Sequence, residues 1–374
     1  MSANRDAIGL PLDQLETPAL CLDIDAYRRN VARMVDFISR HGLAWRPHMK
    51  GQKAPELARL ALRAGATGVT CATVYEAETM ALAGITGILL ANQIAGARKL
   101  ARLARLQHIT PVLAATDSLP HARALDHAAR QFGVRIPVLI EVDLGMNRCG
   151  VAPGEPALHL ARHILTLPGL ALHGLMGWEG HVLAFENPQK QAAITHAIHL
   201  LTATADLCRR HSIPIDIVSA SGSGTFRLSA PLPGLTEIQA GGGVFSDLSY
   251  QKWGLDHEFA LTVLTRVVSR PSPTRIIVDG GFKAMSVQHG LPQPLELPPL
   301  KSLVLSAEHG NLELEQPGST LQVGDLVTFI PGYTDSTVCL HDEICVIHNG
   351  VLQDVWEIPG RTGRRQLTAP AGSV

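Results

Sequence analysis

The chain carries 32 lysines and arginines against 33 aspartates and glutamates in 374 residues, and it has no basic block. That balance excludes the electrostatic footprint of a nucleic-acid binder or of a protein held on an anionic membrane. The length exceeds one small core, so one large domain with a smaller companion is expected, and small-molecule chemistry is the favoured function class.

Met1-Ser2-Ala3-Asn4-Arg5-Asp6 lacks the charged-then-apolar layout of a signal peptide, and no apolar run reaches the ~18 residues of a membrane span, which predicts a soluble cytoplasmic protein. A first strand-like segment, Ala19-Leu20-Cys21-Leu22-Asp23, precedes the rest. Eight apolar, β-rich runs follow at 43–48, 68–73, 87–92, 109–115, 135–143, 170–178, 215–221 and 235–240. Residues 53–64, 75–83, 94–107, 118–132, 155–166 and 187–210 lie between them. These place apolar residues at three- and four-residue intervals, the pattern of amphipathic helices. Alternating strand and helix means a parallel sheet, and near-continuous apolar strands mean that both faces are covered. Eight such strands favour an α/β fold closed into a TIM-type (β/α)8 barrel, with an open doubly wound sheet as the alternative.

After about residue 255 the pattern changes. Strand-like runs at 259–269, 275–279, 301–305, 311–315, 326–330, 337–347 and 351–358 succeed one another with turns between them, punctuated by proline-rich stretches at 271–273 and 292–299. This reads as a C-terminal, mainly antiparallel β domain. The predicted division is 20–254 for the barrel and 255–374 for the β domain, with residues 1–19 a candidate addition to the latter. Cys21, Cys71, Cys149, Cys208, Cys339 and Cys345 show neither metal-knuckle nor redox spacing, so buried, reduced thiols are expected.

Leu43-Ala44-Trp45 runs into Arg46-Pro47-His48-Met49-Lys50, which puts an amine just past the end of the first barrel strand. An amine there can form a Schiff base with an aldehyde; an exposed loop lysine is the bland alternative. Arg46, His48 and Lys50 alternate, so on an extended strand end they share a face directed into the barrel mouth. Ser221-Gly222-Ser223-Gly224-Thr225 and Gly241-Gly242-Gly243 follow the seventh and eighth strands, where a parallel barrel holds a phosphate on backbone N–H groups and hydroxyls. An aldehyde-reactive lysine and a phosphate seat facing one cavity imply pyridoxal 5'-phosphate. Arg148, after the fifth strand, can hydrogen-bond a cofactor oxygen or pair with Asp143. Trp178, Glu179 and His181 follow the sixth strand as an aromatic wall and a titratable pair. In the β domain His309 and Tyr333-Thr334-Asp335 stand in polar stretches, and such turns are commonly polar without any catalytic reason.

Arg46-Pro47-His48-Met49-Lys50 resembles the cofactor-lysine motif of the alanine-racemase-type pyridoxal enzymes, in the branch with D-threonine aldolase, 3-hydroxyaspartate aldolase and D-serine dehydratase. The similarity spans residues 15–360 and includes Asp143–Gly150, Gly222–Thr225, Glu237–Gly241, Glu308-His309-Gly310 and Asp335–Asp342. It implies that Lys50 forms the Schiff base, with His48 and Trp178 beside the cofactor and Arg148 near its phenolic oxygen. Ser221, Gly222, Ser223, Gly224, Thr225, Gly241 and Gly242 would cradle the phosphate. Family members also bind a divalent metal (manganese, magnesium or zinc) through a histidine and an aspartate or cysteine two residues later. Here Asp335 matches the second ligand while Tyr333 stands where the histidine belongs, and a tyrosine ligates well only after losing a proton with a normal pKa near ~10. Gln52, Ala72 and Trp178 depart from the family pattern in the same pocket.

The resemblance implies a homodimeric lyase acting on a small β-hydroxy D-amino acid, by retro-aldol cleavage to glycine and an aldehyde. His181, His309 or Tyr333 would take the β-hydroxyl proton. A D-serine- or 3-hydroxyaspartate-type dehydratase is the alternative, and a racemase or transaminase the third reading. Outside that group stand a cofactor carrier, which lacks a second domain, and a cofactor-free lysine barrel acting on a phosphorylated sugar.

Overall fold

The chain enters on β1 (Ala19–Asp23) and α1 (Ile24–Arg40). It continues through β2 (Ala44–Trp45), α2 (Pro55–Arg63), β3 (Val69–Cys71), α3 (Val74–Leu82), β4 (Ile88–Leu90), α4 (Ala97–Leu106), β5 (Val112–Thr116), α5 (Leu119–Gln131), β6 (Ile136–Val142), α6 (Glu155–Ile164), β7 (Leu170–Gly177), α7 (Gln189–Arg210), β8 (Ile217–Ala220), α8 (Phe226–Ser229) and β9 (Glu237–Ile238). A computed structural model describes residues 4–361. They form two compact units, one of residues 34–241 and one of the N-terminal segment to Arg33 together with Gly242–Arg361. Residues 242–254, assigned to the barrel from the sequence, thus cluster with the β unit.

In the first unit β2 to β9 are all parallel and lie in the order β2-β9-β8-β7-β6-β5-β4-β3. A parallel bridge between His48 and Thr70 closes the ring. The helices start where local chemistry permits. Pro55 and Pro120 occupy the first turns of α2 and α5, where a missing N–H costs nothing. Thr73 caps α3 by accepting the N–H of Glu76 at 3.1 Å. Leu89, Ala115, Leu139 and Met176, one from each of β4 to β7, pack as a buried cluster.

One polar network interrupts this apolar interior. Arg46 is 7% exposed and donates from Nε and Nη2 to both oxygens of Glu237, 3% exposed, at 2.9–3.1 Å. Ser219 donates to Glu237 at 2.7 Å, Gln239 donates to Ser219 at 2.9 Å, and Arg46 Nη1 donates to the Gly87 carbonyl. The expectation that Arg46 shares the mouth-facing surface with Lys50 is therefore corrected. A buried guanidinium must be paired, and Glu237 on the neighbouring strand offers the bidentate acceptor.

The second unit holds β1 with β10 (Leu261–Ser272), β11 (Arg275–Val278), β12 (Gln293–Pro294), β13 (Leu300–Leu305), β14 (Gly310–Leu314), β15 (Leu326–Ile330), β16 (Glu343–His348) and β17 (Val351–Glu357). The main path is β13-β14-β11-β10-β1-β16-β17, with β15 pairing β10 and β12. Every pairing is antiparallel except that of β1 with β16, so the first strand-like segment belongs to this sheet. Ala19, Cys21, Leu264, Cys345 and Leu352 sit in one of its core clusters. The short helices α9 (Leu248–Lys252) and α10 (Thr334–Thr337) complete the unit. The strand expected at 337–347 begins only at Glu343, because Asp247 accepts both the N–H and the hydroxyl of Thr334 at 2.7 Å and starts a helical turn there. All six cysteines are free, four of them buried. Among the described residues no helix is long and apolar enough to cross a membrane.

The buried fork gives a stability prediction. Arg46→Met strands the Glu237 charge and should cost ~3–5 kcal/mol in urea unfolding, whereas Arg46→Met with Glu237→Leu should recover most of it. A double variant no more stable than the single would show that the pair is not the source of the loss.

Candidate active site

The strand β2 ends where His48 turns the chain into a short 3-10 turn at Met49–Gly51, with the His48 Nδ1 accepting the Lys50 N–H at 3.3 Å. Lys50 thus leaves the strand geometry, and its side chain is exposed rather than buried. Burial, followed by the charges of Lys50, Lys53 and Arg148, lowers the His48 pKa well below the usual imidazole range. His48 is therefore a neutral group ringed by three cations. Lys53 is itself committed to an ion pair with the buried Glu76. Gly241 lies so close to this segment that a Cβ there would collide with the His48 backbone. The Gln52 amide donates to the Gly241 carbonyl at 3.1 Å, and the Trp45 indole to Ala240 at 2.7 Å. Gln52, one of the departures from the family pattern, thus ties the lysine segment to the glycine turn.

The Trp178 ring covers Gly222, where any side chain would strike it. In the turn beneath, Ser221 adopts a left-handed conformation (φ 72°) and pairs its hydroxyl with that of Ser229 at 2.6 Å. The Thr225 hydroxyl shares a 2.6 Å bond with the buried Glu179 carboxyl and accepts the Gly222 N–H at 3.1 Å. Two hydroxyls expected to face a phosphate, those of Ser221 and Thr225, are thus engaged within the turn.

Arg148 is exposed and does not pair with Asp143, whose carboxylate instead accepts the N–H groups of Gly145 and Asn147 at 3.0 and 3.1 Å. The guanidinium acts on two groups of the barrel mouth, His48 and the buried Glu141. Glu141 accepts from Gln93 at 2.6 Å, a pair that the sequence did not expose because Glu141 sits inside an apolar run. His181 packs on Gly145 of the same loop, and its Nδ1 is buried without a hydrogen-bond partner. An exposed amine, surrounding cations and a glycine turn with hydroxyl reinforcement fit an aldehyde-bearing phosphate.

The other expected residues belong to the β unit. His309 is exposed in the turn between β13 and β14. Tyr333 and Tyr250 each donate a phenol O–H to Asp335, at 3.0 Å to one oxygen and 2.9 Å to the other. The rings of Tyr250, Trp253, His289 and Tyr333 pack together, with His289 and Tyr333 4.8 Å apart. Gly242 closes the cluster, since a Cβ there would strike the Tyr250 hydroxyl. Burial, with the Asp335 charge second, pushes the Tyr333 phenol well above its ordinary range. A phenol held protonated and a carboxylate bonded on both oxygens do not fit a divalent metal. Among the described residues no group of three or more histidine, cysteine, aspartate and glutamate side chains is arranged to hold one.

Known proteins share this architecture. Residues 22–248 match the alanine racemase N-terminal domain, and residues 260–347 match a putative serine dehydratase domain. The chain is 34% identical over 358 residues to the D-threonine aldolase of Arthrobacter sp., covering 94% of each chain. It is 32% identical over 281 residues to the D-threo-3-hydroxyaspartate dehydratase of Delftia sp., covering 74% of each. The crystal structure of D-threonine aldolase from Filomicrobium marinum superposes with a TM-score of 0.91 at 31% identity, covering 95% of this chain and 98% of that one.

The Tyr333–Asp335 pair gives a metal prediction. Tyr333→His frees one Asp335 oxygen and supplies an imidazole, so manganese affinity measured by electron paramagnetic resonance should rise about tenfold or more. Chelator should leave wild-type turnover unchanged. Unaltered manganese binding in the variant would show that position 335 is not at a latent metal site.

Proposed function

The chain belongs to the family of the alanine racemase N-terminal domain, and on that basis we propose that it is a pyridoxal-phosphate-dependent lyase of small β-hydroxy D-amino acids, cleaving them to glycine and an aldehyde. The observation that carries the reading is the convergence of Lys50, Arg148 and Gly241 on His48 within the barrel unit. Lys50 would hold the aldehyde carbon of the cofactor, Arg148 its phenolic oxygen, and Ser221 to Thr225 with Gly241 and Gly242 its phosphate. Bound there, the cofactor supplies an electron sink for negative charge at the substrate Cα.

The protein's own residues supply orientation and proton transfer. Neutral His48 turns Lys50 out of the strand geometry by accepting its N–H. Trp178 fixes the glycine turn by covering Gly222. His181 is the residue to remove the β-hydroxyl proton. It follows β7 in the barrel unit, and its ring packs on Gly145 in the loop that carries Arg148. Tyr333 is poorly suited as a base, because its phenol is held protonated against Asp335. Dehydration is the second reading, supported by the identity to the Delftia enzyme. We further propose a cytoplasmic homodimer, testable by sedimentation of the holoenzyme.

Lys50→Ala should abolish the yellow absorbance of the purified protein and its activity together. A colourless wild type that cleaves sugar phosphates would overturn the reading. Over a panel of D- and L-β-hydroxy amino acids, the D series should yield glycine; ammonia with a keto acid would instead identify a dehydratase. His181→Ala should lower the cleavage rate by about 10²–10⁴ with cofactor content retained. A full-rate variant would remove His181 from the reaction.

A further inference from the structure

Glu179 is wholly buried, and its place under the glycine turn has no role in the chemistry above. Its Oε1 lies 2.6 Å from the Thr225 hydroxyl, while Oε2 is buried and makes no hydrogen bond of normal geometry, the Ser221 hydroxyl and backbone N–H groups acting on the carboxyl only from outside that geometry. The Thr225 oxygen also receives the Gly222 N–H at 3.1 Å and lies 3.2 Å from the Gly222 carbonyl. A hydroxyl has one hydrogen to give. With an ionised Glu179 that hydrogen goes to the carboxylate, the Gly222 carbonyl keeps only the N–H groups of Thr225 and Phe226 at 3.0 Å, and the buried Oε2 carries charge without a hydrogen bond of normal geometry. With a proton on Oε1 the acid donates to Thr225, Thr225 donates to the Gly222 carbonyl, and Oε2 is left as a carbonyl oxygen, a cheaper orphan than a charged one.

We propose that Glu179 holds its proton on Oε1 and donates it to Thr225, acting as an uncharged positioning residue that pins the Gly222–Thr225 turn beneath the cofactor phosphate. The inference rests on the reading of that turn as the phosphate seat. The groups acting on the carboxyl agree with it. Burial raises its pKa, the hydroxyls of Thr225 and Ser221 and nearby backbone N–H groups offset part of that rise, and no charged side chain is among them. Ser229, behind Ser221, is likewise a hydroxyl. A carboxylate here would add a buried negative charge under the turn read as the phosphate seat, whereas a carboxylic acid adds no repulsion.

The test resolves purified holoenzyme to apoenzyme and titrates it with pyridoxal phosphate and with pyridoxal, which lacks the phosphate. The ratio of the two affinities isolates the phosphate seat from the imine. Glu179→Gln, a neutral isostere, should keep the wild-type ratio within about threefold, and Glu179→Ala should lower it about tenfold or more by releasing Thr225. Infrared difference spectra of wild-type and Glu179→Gln holoenzymes should show a protonated carboxylic acid carbonyl that only the wild type has. This keeps the proposal falsifiable where Glu179→Ala does not fold. A tenfold or greater rise of the ratio in Glu179→Gln, an unchanged ratio in Glu179→Ala, or absence of the acid carbonyl would each overturn it. A wild type that does not prefer the phosphorylated aldehyde would remove the phosphate seat itself, and the proposal with it.

Discussion

Closure of the barrel at its two-residue first strand is the constraint on which the site depends. On one side the N–H groups of Ala44, Arg46 and His48 donate to Thr236, Ile238 and Gln239 at 2.9–3.0 Å. On the other, Thr67 and Thr70 donate to Trp45 and Pro47 at 2.9 and 2.8 Å. Inside this seam the Arg46 fork joins β2 to Glu237 of β9, while Arg46 Nη1 reaches Gly87 ahead of β4. Placing two charges in an apolar interior costs several kcal/mol per ion and is tolerated only with bidentate geometry and further donors such as Ser219. The same geometry fixes the register of β2. A one-residue slip would move Arg46 off Glu237 and His48 away from Gly241.

The glycine turn after β8 obeys a different logic. Its hydroxyls point largely inward and build the turn, so its shape is set before any ligand arrives. Ser221 in a left-handed conformation reaches Ser229, Thr225 reaches Glu179, and the Trp178 ring seals the outer side over Gly222. A side chain at 222 would displace that ring, and one at 241 would displace the lysine segment. These two glycines are needed for close approach rather than for backbone freedom, Gly222 under the Trp178 ring and Gly241 against the His48 backbone. Preorganisation of this kind favours a ligand by lowering what must be ordered when it binds.

Much of the barrel was legible because strand and helix periodicities differ and alternate. The runs at 135–143 and 170–178 correspond to β6 and β7, and the helical pattern at 187–210 to α7. The lysine was legible from its position after the first strand. Its orientation was not, because alternation continues only while the chain stays extended and His48 ends that at the 3-10 turn. Arg46 was misplaced for a related reason, since its partner Glu237 is 191 residues away and no local pattern announces a pairing across the seam. The helical turn at 334–337 was hidden likewise, because its anchor, Asp247, lies 87 residues earlier. Glu179 was visible as a titratable residue, but its burial and its bond to Thr225 arise only when β7 and β8 lie side by side.

The balance between aldol cleavage and dehydration turns on which proton the residues can move. Cleavage needs a base that takes a hydroxyl proton, and dehydration needs an acid or cation that accompanies hydroxide as it leaves. In the proposed reaction His181 takes that proton; its ring packs on Gly145, in the loop that carries Arg148. Tyr333 is a phenol whose proton is already directed to Asp335, and Tyr250 holds the other oxygen of that carboxylate. To assist a departing hydroxyl, Tyr333 would have to turn its proton away from a buried carboxylate, which costs more than breaking a neutral hydrogen bond. The phenol proton of Tyr333 is thus committed to Asp335, which sets a cost on any acid role for that residue, and the proposed cleavage asks for no such proton.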